Sequence, residues 1–321
     1  MKGILAYFLI STIIFCYILP SSSYAESQTI VKVGSGSIAG VYNHFAIEFC
    51  NIINKYGHGK YKCKAIPAKG SVSNISNVYN GSIDFGICQS DQVWQAVNGE
   101  GLWNGEDKLK SIRTVFNIYL EDVVLVARKN AGIKDVYDLE GKRVNLGNHG
   151  TGYLTNAKDI IRIYDIKNIQ RHYLPAGEAA SALINNDIDA FFYTTGTPSK
   201  IIEDVTSSTE AILIPISSER IKEFVKKTPY YVLNKIPANT YVGNKMSIPT
   251  YAVQSMMIAN TDMHETVVYD ILKILIDNLS KLKESHHLFS HLTSENMANN
   301  HIVTTHPGAK KLYLKIMNIN K

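Results

Sequence analysis

The stretch Ile30-Val31-Lys32-Val33-Gly34-Ser35-Gly36-Ser37 is a short apolar run that ends in a turn of small residues, and a helical pattern follows it. The stretch Lys142-Arg143-Val144-Asn145-Leu146-Gly147-Asn148-His149-Gly150-Thr151-Gly152 repeats this arrangement and also precedes a helical pattern. A helix N-terminus presents unpaired N–H groups and partial positive charge, so each turn is suited to an anion. The repetition predicts two similar α/β halves that hold one anionic molecule between them.

The rest of the chain alternates between strand-like and helical patterns. Strands are predicted at 29–33, 61–66, 83–88, 122–128, 142–146, 170–174, 188–193, 211–216 and 250–259. Helices are predicted at 39–55, 71–79, 91–97, 153–164, 177–185, 197–204 and 265–282. We interpret 228–248, which contains Pro229, Pro237 and Gly243, as an irregular segment. Strands that alternate with helices favour mainly parallel sheets, with ligands at the carboxyl ends of the strands.

The N-terminus has the features of a secretory signal peptide. Lys2 is the only charged side chain before Glu26, residues 4–19 are nearly all apolar, and Ser23-Tyr24-Ala25 is a small-residue cleavage site. The apolar run is short for a membrane-spanning helix, which weighs against an uncleaved anchor. We therefore predict cleavage after Ala25 and a soluble, exported protein.

Composition argues against several classes of function. The formal net charge is +5, and the charges are interspersed without a basic block, so a nucleic-acid-binding face is unsupported. The sequence contains no HExxH, GxSxG or DxDxDG motif, and we expect no metal, no cofactor and no catalysis. Gly34-x-Gly36-x-x-Ala39 fits a loose dinucleotide fingerprint, but no acidic residue follows near the end of the 61–66 strand to hold a ribose.

Three cysteines remain after the predicted cleavage. Cys50 lies late in the first helix, and Cys63 lies in the next strand, so the two can approach disulfide distance in an oxidising compartment. The alternative is that Cys50, Cys63 and Cys88 are all small buried hydrophobic residues. Cys88 has no partner under either interpretation.

Several ordered motifs resemble those of one protein family. They are Val33-Gly34-Ser35-Gly36-Ser37-Ile38-Ala39-Gly40-Val41-Tyr42, Gly70-Ser71-Val72-Ser73-Asn74, Gly81-Ser82-Ile83-Asp84-Phe85-Gly86-Ile87-Cys88-Gln89-Ser90-Asp91, Asp138-Leu139-Glu140-Gly141-Lys142-Arg143-Val144, Ile236-Pro237-Ala238-Asn239-Thr240-Tyr241 and His306-Pro307-Gly308-Ala309. This set resembles the TRAP-associated extracytoplasmic immunogenic (TAXI) solute-binding proteins over nearly the whole mature chain. The first loop of that family usually reads Ser-Thr-Gly-Gly, whereas here it is Ser37-Ile38-Ala39-Gly40.

The resemblance implies a fold like that of periplasmic binding proteins, with two α/β lobes joined by two crossing strands around a ligand cleft. It also implies a periplasmic subunit, expected to be a monomer, that delivers a small carboxylate such as glutamate or a dicarboxylate to a TRAP-type membrane permease. We predict a signal peptide at 1–25, a first lobe at 26–118 plus 255–321, and a second lobe at 119–254.

The candidate ligand-binding residues lie in turns at the ends of predicted strands or at helix starts. On the first half they are Ser35, Gly36, Ser37, Tyr42, Ser71, Asn74, Gln89 and Ser90, and toward the second half they are Tyr119, Glu121, Gly150, Thr151, Gly152, Thr195 and Thr197. The alternative role of Ser37 is a helix N-cap, and we favour ligand contact; Ser71 is equally suited to either role, and Asp91 is interpreted as an N-cap. Thr197 is expected to cap a helix that has Pro198 at its first position. Glu121 either accepts a hydrogen bond from a ligand ammonium or pairs with a lysine, and we favour the lysine.

Two alternative functions stay open at this point. An enzyme would need Cys88 as nucleophile and His149 as base, within hydrogen-bond reach of each other at the cleft. An exported surface antigen would keep the two-lobed fold without transport.

Overall fold

The computed structural model describes residues 28–38, 40–105, 108–299 and 301–319. The signal peptide predicted at 1–25 lies outside these residues. Within them, every helix is too short or too polar to cross a bilayer.

The strands of the described chain form one curled, mixed sheet in the order β2-β1-β3-β10-β4-β7-β5-β6, with β8 beside β4 and β9 beside β10. They are β1 (Thr29–Gly34), β2 (Tyr61–Ile66), β3 (Phe85–Gln89), β4 (Ile112–Arg128), β5 (Arg143–Asn145), β6 (Gln170–His172), β7 (Ala190–Thr195), β8 (Ala211–Ile214), β9 (Tyr231–Ile236) and β10 (Ile248–Asn260).

Helices cover both faces of this sheet. They are α1 (Val41–Tyr56), α2 (Ser71–Tyr79), α3 (Ser90–Asn98), α4 (Gly152–Tyr164), α5 (Ala176–Ile184), α6 (Lys200–Ser208), α7 (Glu219–Lys227), α8 (Glu265–Asp277), α9 (Leu279–Ser285), α10 (Ser294–Ala298) and α11 (Pro307–Ile319). Short 3-10 helices occur at Gly101–Trp103, Lys129–Ala131, Val136–Leu139 and His287–Phe289.

Two long antiparallel strands, β4 and β10, run through both halves of the sheet. Residues Ser255–Ala259 of β10 pair with β3, whereas Ile248–Val253 pair with β9. On β4, residues up to Asp122 pair with β10, and residues from Asp122 onward pair with β7 and then β8. The molecule is therefore an α/β protein of two lobes joined by two crossing strands. The first lobe contains β1–β3, α1–α3 and α8–α11, and the second contains β5–β9 and α4–α7.

Each lobe has an apolar core on both faces of its part of the sheet. In the first lobe, Phe45 and Phe49 of α1 pack with Phe85 and Phe116 on one face, and a cluster around Val93 covers the other. In the second lobe, separate clusters contain Leu154 of α4 and Leu183 of α5. Strands that are buried on both faces are typical of parallel sheets covered by helices.

The crossing point on β10 lies close to Gln254, because the partner strand changes there and the register with β4 shifts between Gln254 and Met256. Ser255 Oγ accepts a hydrogen bond from the Tyr119 N–H (3.1 Å) and donates one to the Tyr119 carbonyl (2.7 Å). The lobe division at 118/119 and 254/255 stays a prediction.

The segment 228–248 is only partly irregular, because β9 lies within it. Strand β9 was not predicted because its buried and exposed residues do not alternate. Tyr231 and Ile236 are buried, and the residues between them are exposed. The strand exists because β10 supplies its hydrogen-bond partner. Helix α7, which follows the Ser218 N-cap, was not predicted either; it is rich in charged residues and buries only Ile221 and Val225.

The prediction of a helix at 197–204 with Thr197 as its cap is wrong. Helix α6 begins at Lys200 with Ser199 at the N-cap position, and Pro198 follows a cis peptide bond outside the helix. The Ser199 N–H donates to the Tyr241 hydroxyl (2.8 Å), so a residue distant in sequence holds this turn. The predicted helix 265–282 is also divided, since α8 ends and α9 begins around Asn278.

Cys50 of α1 and Cys63 of β2 form a disulfide, with their Cα atoms 4.9 Å apart. Cys88 is a buried free thiol. The disulfide fastens α1 to the outer strand of the first lobe.

Candidate functional site

A cavity of about 230 Å³ lies between the lobes, at the carboxyl ends of β1, β3, β5 and β7. This is where open α/β sheets bind ligands. Its wall consists of Gly36, Ser37, Gly40, Val41, Tyr42, Ala68, Lys69, Ser71, Gln89, Tyr119, Glu121, Asn148, Gly152, Tyr153, Pro175, Ala176, Tyr193, Thr194 and Thr195.

Helix N-termini from both lobes converge on this cavity. The first residues of four helices line it: Val41 of α1, Ser71 of α2, Gly152 of α4 and Ala176 of α5. Gln89, which precedes α3 at the N-cap position, lines it as well. The first N–H groups of a helix have no partner within the helix, and they favour negative charge. The cavity is therefore suited to a carboxylate.

Glu121 is the acidic residue of the wall and is only 3% exposed. The Tyr42 hydroxyl donates a hydrogen bond to Glu121 Oε2 (3.0 Å). Burial raises the pKa of Glu121 to about 8, although the hydrogen bond from Tyr42 acts in the opposite direction. The expected lysine pairing of Glu121 is wrong, because none of the ion pairs in the described chain includes this residue.

Lys69 is the basic residue of the wall, and it lies on the exposed loop between β2 and α2. Its side chain also reaches the second lobe, since a Cβ built on Gly150 would lie 3.1 Å from Lys69 Cβ. One basic and one acidic side chain thus line the same cavity, one at the surface and the other buried.

Tyrosine rings form much of the remaining wall: Tyr42, Tyr119, Tyr153 and Tyr193. Tyr153 and Tyr193 meet edge to face, with ring centroids 5.4 Å apart. The Tyr153 hydroxyl donates to Asn148 Oδ1 (2.5 Å), which fixes the ring against the second glycine-rich turn. These rings offer apolar contact to the carbon atoms of a small ligand.

A buried polar network joins the lobes next to the cavity. The Asp91 carboxylate on α3 accepts hydrogen bonds from Asn156 Nδ2 on α4 (2.8 Å) and from the Tyr231 hydroxyl on β9 (2.8 Å). Gln92 donates to the same carboxylate from its backbone N–H (2.7 Å). On the other side, Asn156 Oδ1 accepts from Thr194 Oγ1 (2.8 Å), and Thr194 lines the cavity. Asp91 is therefore not the N-cap of α3 but the acceptor at the centre of an interlobe network.

The lobes also touch through their backbones. The Ser73 N–H of α2 donates to the Gly150 carbonyl across the interface (3.2 Å). A Cβ on Gly152 would lie 1.5 Å from Gln89 Oε1, so a larger residue here would displace the end of the Gln89 side chain. The start of α4 therefore packs directly against the first lobe.

The structure brings nine of the predicted site residues into the wall of the cavity: Gly36, Ser37, Tyr42, Ser71, Gln89, Tyr119, Glu121, Gly152 and Thr195. The Ser71 hydroxyl accepts from the Gln89 N–H (3.0 Å), and neither Ser71 nor Ser37 is an N-cap, because Gly70 precedes α2 and Gly40 precedes α1.

Two predicted residues of the first lobe lie behind the wall. Ser35 is fully buried, and its hydroxyl donates to the Ile66 carbonyl (3.1 Å). Asn74 Nδ2 donates to the carbonyls of Ser35 (2.7 Å) and Ile87 (2.8 Å), which ties α2 to β1 and β3. Both side chains hold the turn in place and do not face the cavity.

Four further predicted residues also lie outside the wall. Ser90 Oγ donates to the Tyr230 carbonyl (3.4 Å) on the other side of the crossing strands. Thr151 is the N-cap of α4: its hydroxyl accepts from the Leu154 N–H (3.4 Å) and donates to the Asn148 carbonyl (2.7 Å). Gly150 contacts the first lobe through its carbonyl, and Thr197 is half-buried with its hydroxyl oxygen buried before α6. Ser35, Thr151 and Thr197 therefore do not line the cavity.

Several wall residues were missed in the sequence, notably Lys69, Asn148, Tyr153, Tyr193 and Thr194. Signals for some of them existed. Lys69 immediately precedes Gly70 and the start of α2, and Tyr193 and Thr194 are at the carboxyl end of β7. Ligands bind at the carboxyl ends of strands, so the loop after β2 and the end of β7 were both candidate positions.

The structure does not assemble the proposed nucleophile and base. Cys88 is fully buried, and its Sγ contacts the Ser71 carbonyl (3.6 Å), while burial raises the pKa of the thiol well above its usual range. His149 is exposed and stacks on Tyr173. Among the residues that the structure describes, no group of His, Cys, Asp and Glu side chains is arranged to hold a metal ion.

Comparison with known proteins identifies a matching family and solved structures of similar fold. A model of the NMT1-like family matches residues 33–315. The structure is similar to MatC from Rhodopseudomonas palustris with bound malate, with a TM-score of 0.59 and 13% identity over 91% of this chain and 97% of that one. It is also similar to the periplasmic binding protein BugD, with a TM-score of 0.57 and 11% identity over 91% of this chain and 94% of that one.

A third similar structure is the ligand-binding component of an ABC-type import system from Staphylococcus aureus with zinc bound. Its TM-score is 0.50, with 12% identity over 89% of this chain and 84% of that one. At such identities the likeness shows the fold, and that fold is the two-lobed one of periplasmic binding proteins.

Proposed function

The chain belongs to the NMT1-like family, and from this membership and the cavity between the lobes we propose that it is a periplasmic solute-binding protein for a small amino-acid carboxylate. In this proposal it is exported, acts as a monomer and delivers its ligand to a TRAP-type membrane permease. The TAXI motifs found in the sequence support this assignment to a transporter. The surface antigen and the enzyme remain the weaker alternatives.

The single observation that carries the choice of ligand is the charge pattern of the cavity. Helix N-termini and Lys69 favour a carboxylate, while the buried Glu121 favours a cation or a hydrogen-bond donor. A free amino acid carries both groups on one carbon atom. A dicarboxylate without an ammonium group would leave Glu121 without a cationic partner.

The size of the cavity supports the same class of ligand. Its volume of about 230 Å³ is below the roughly 300–1,000 Å³ of typical pockets for drug-sized ligands. A single amino acid fits such a volume, and an oligosaccharide does not. The four tyrosine rings would contact its carbon atoms.

Titration calorimetry tests this proposal. We expect L-glutamate or another amino acid to bind with one-to-one stoichiometry and a micromolar or tighter Kd, about −8 kcal/mol or better. Lys69→Ala should weaken binding about tenfold, and Lys64→Ala, an exposed lysine of β2 outside the cavity, is the matched control. Saturation with a sugar or a dicarboxylate, and none with any amino acid, would overturn the proposal.

A further inference from the structure

Glu121 accepts a hydrogen bond from Tyr42, but among the described residues it has no cationic side chain beside it. The ionisable side chains facing it come from five elements: Tyr42 of α1, Cys88 of β3, Asp91 of α3, Tyr119 of β4 itself and Tyr193 of β7. All are acids or phenols, and none brings positive charge. Lys69 lines the same cavity but is exposed, so water screens its charge.

Burial without a cationic partner favours the protonated form of a carboxyl group. The pKa of Glu121, raised to about 8 mainly by burial, agrees with this expectation from geometry. At pH 7 roughly nine-tenths of the molecules would then hold a neutral Glu121 while the cavity contains no ligand. The Tyr42 hydroxyl at 3.0 Å can hydrogen-bond either form.

We propose that ligand capture releases one proton from Glu121, and that this exchange selects ligands which carry an ammonium group. The inference rests on the proposed function, since it takes the ligand to be an amino acid. The ammonium supplies the positive charge that the cavity wall lacks beside Glu121. The carboxyl group ionises, its proton passes to the buffer, and the ammonium keeps all of its protons.

The exchange makes affinity depend on pH with a definite sign. Below about pH 8, binding must first remove the proton, so affinity should fall about tenfold for each pH unit of acidification. Above about pH 8, Glu121 is already ionised and affinity should level off. A ligand without an ammonium group cannot drive the release.

Calorimetry of the wild-type protein with L-glutamate, in phosphate and in Tris, measures the released protons through the dependence of the heat on the buffer. We expect close to one proton released at about pH 7, almost none at about pH 9, and a Kd about tenfold weaker at about pH 6 than at about pH 7. Succinate is the comparison ligand without an ammonium group, and it should release no proton.

Two variants make the assignment specific to Glu121. Glu121→Gln should abolish both the proton release and the pH dependence and should bind L-glutamate at least tenfold more weakly at about pH 8. Tyr42→Phe keeps Glu121 but removes a hydrogen bond that favours its ionised form, so affinity should level off at a higher pH than in the wild type. Glu223→Gln, an exposed residue of α7, is the matched control and should behave as the wild type.

Failure of this inference and failure of the proposed function would give different results. Saturable binding of amino acids with no proton release at about pH 7 would overturn the inference and leave the proposed function standing. Proton release that persists in Glu121→Gln would overturn it as well, as would equal release with succinate. The absence of binding by any amino acid at every pH would instead overturn the proposed function.

Discussion

Asn156 on α4 donates a hydrogen bond of 2.8 Å to the Asp91 carboxylate on α3, and both residues are fully buried. The bond links the second lobe to the first. Tyr231 donates to the same carboxylate oxygen (2.8 Å) and lies beside the crossing strand β10, where it pairs with Val253.

Replacement of Asn156 by leucine should destabilise the protein. The change keeps the size of the side chain but removes one donor from Asp91, and an under-satisfied buried acceptor is unfavourable by about 1–3 kcal/mol. Urea unfolding should show this decrease, and Asn51→Leu, at an exposed position of α1, should not. A double-mutant cycle with Tyr231→Phe should give a coupling of at least about 0.5 kcal/mol; strict additivity would mean that the two donors act independently.

Glu121→Gln should stabilise the ligand-free protein, and the gain should grow with pH. The pKa of Glu121 is about 8 in the folded state against an ordinary value of 4.5. The folded state therefore binds more protons than the unfolded state between these values, and the stability of the wild type falls as pH rises through that window. The difference between variant and wild type should increase by roughly 1.4 kcal/mol per pH unit. Unfolding at about pH 5, 6.5 and 8 measures it, and a constant difference would contradict the raised pKa.

Gly152→Ala should weaken ligand binding more than it affects folding. The new methyl group would lie 1.5 Å from Gln89 Oε1, the end of a flexible side chain that lines the cavity. We expect Gln89 to be displaced and ligand affinity to fall about tenfold, about 1.4 kcal/mol. Gly177→Ala in α5 is the matched control, since no heavy atom lies within 4 Å of the position that its new methyl group would take. Unchanged affinity in Gly152→Ala would show that the lobes need not approach this closely.

Two hydroxyl variants separate a structural role from a binding role. Thr151 caps α4, so Thr151→Ala should lower the free energy of unfolding by about 1 kcal/mol. Ser37 is exposed at the cavity, so Ser37→Ala should reduce ligand affinity and leave the melting temperature unchanged. Calorimetry and thermal unfolding of both proteins measure the two effects, and the reverse pattern would exclude this division of roles.

The sequence predicts the fold well where local patterns carry it. The strand-like segments of β1 and β5 and the glycine-rich turns after them predict two α/β halves, and the long strand pattern at 250–259 predicts a crossing strand. Prediction from the sequence fails where an element depends on a distant partner. Strand β9 depends on β10, and the turn before α6 depends on Tyr241.

The residues of the candidate site could likewise be predicted only where they depend on local sequence. Positions at strand ends, such as Gly36, Gln89 and Thr195, could be chosen from the sequence because the end of a strand is a local feature. The direction of a side chain at such a turn is not local: Ser35 points into the core, whereas Ser37 faces the cavity. The absence of a cation beside Glu121 could not be foreseen, because it depends on what five separate elements bring to one point.

The pairing of β3 with β10 also affects the order in which the two lobes fold. Gln89 of β3 lies opposite Ser255 of β10, so the sheet of the first lobe stays incomplete until most of the chain has been synthesised. The strands β5 and β7 find each other over a much shorter stretch of sequence. Contacts between distant residues form slowly, since a long loop must close first. We therefore expect the β5–β7 part of the second lobe to form earlier, while β9 and the open edge of β3 wait for β10; an unpaired strand edge in a newly made chain favours aggregation.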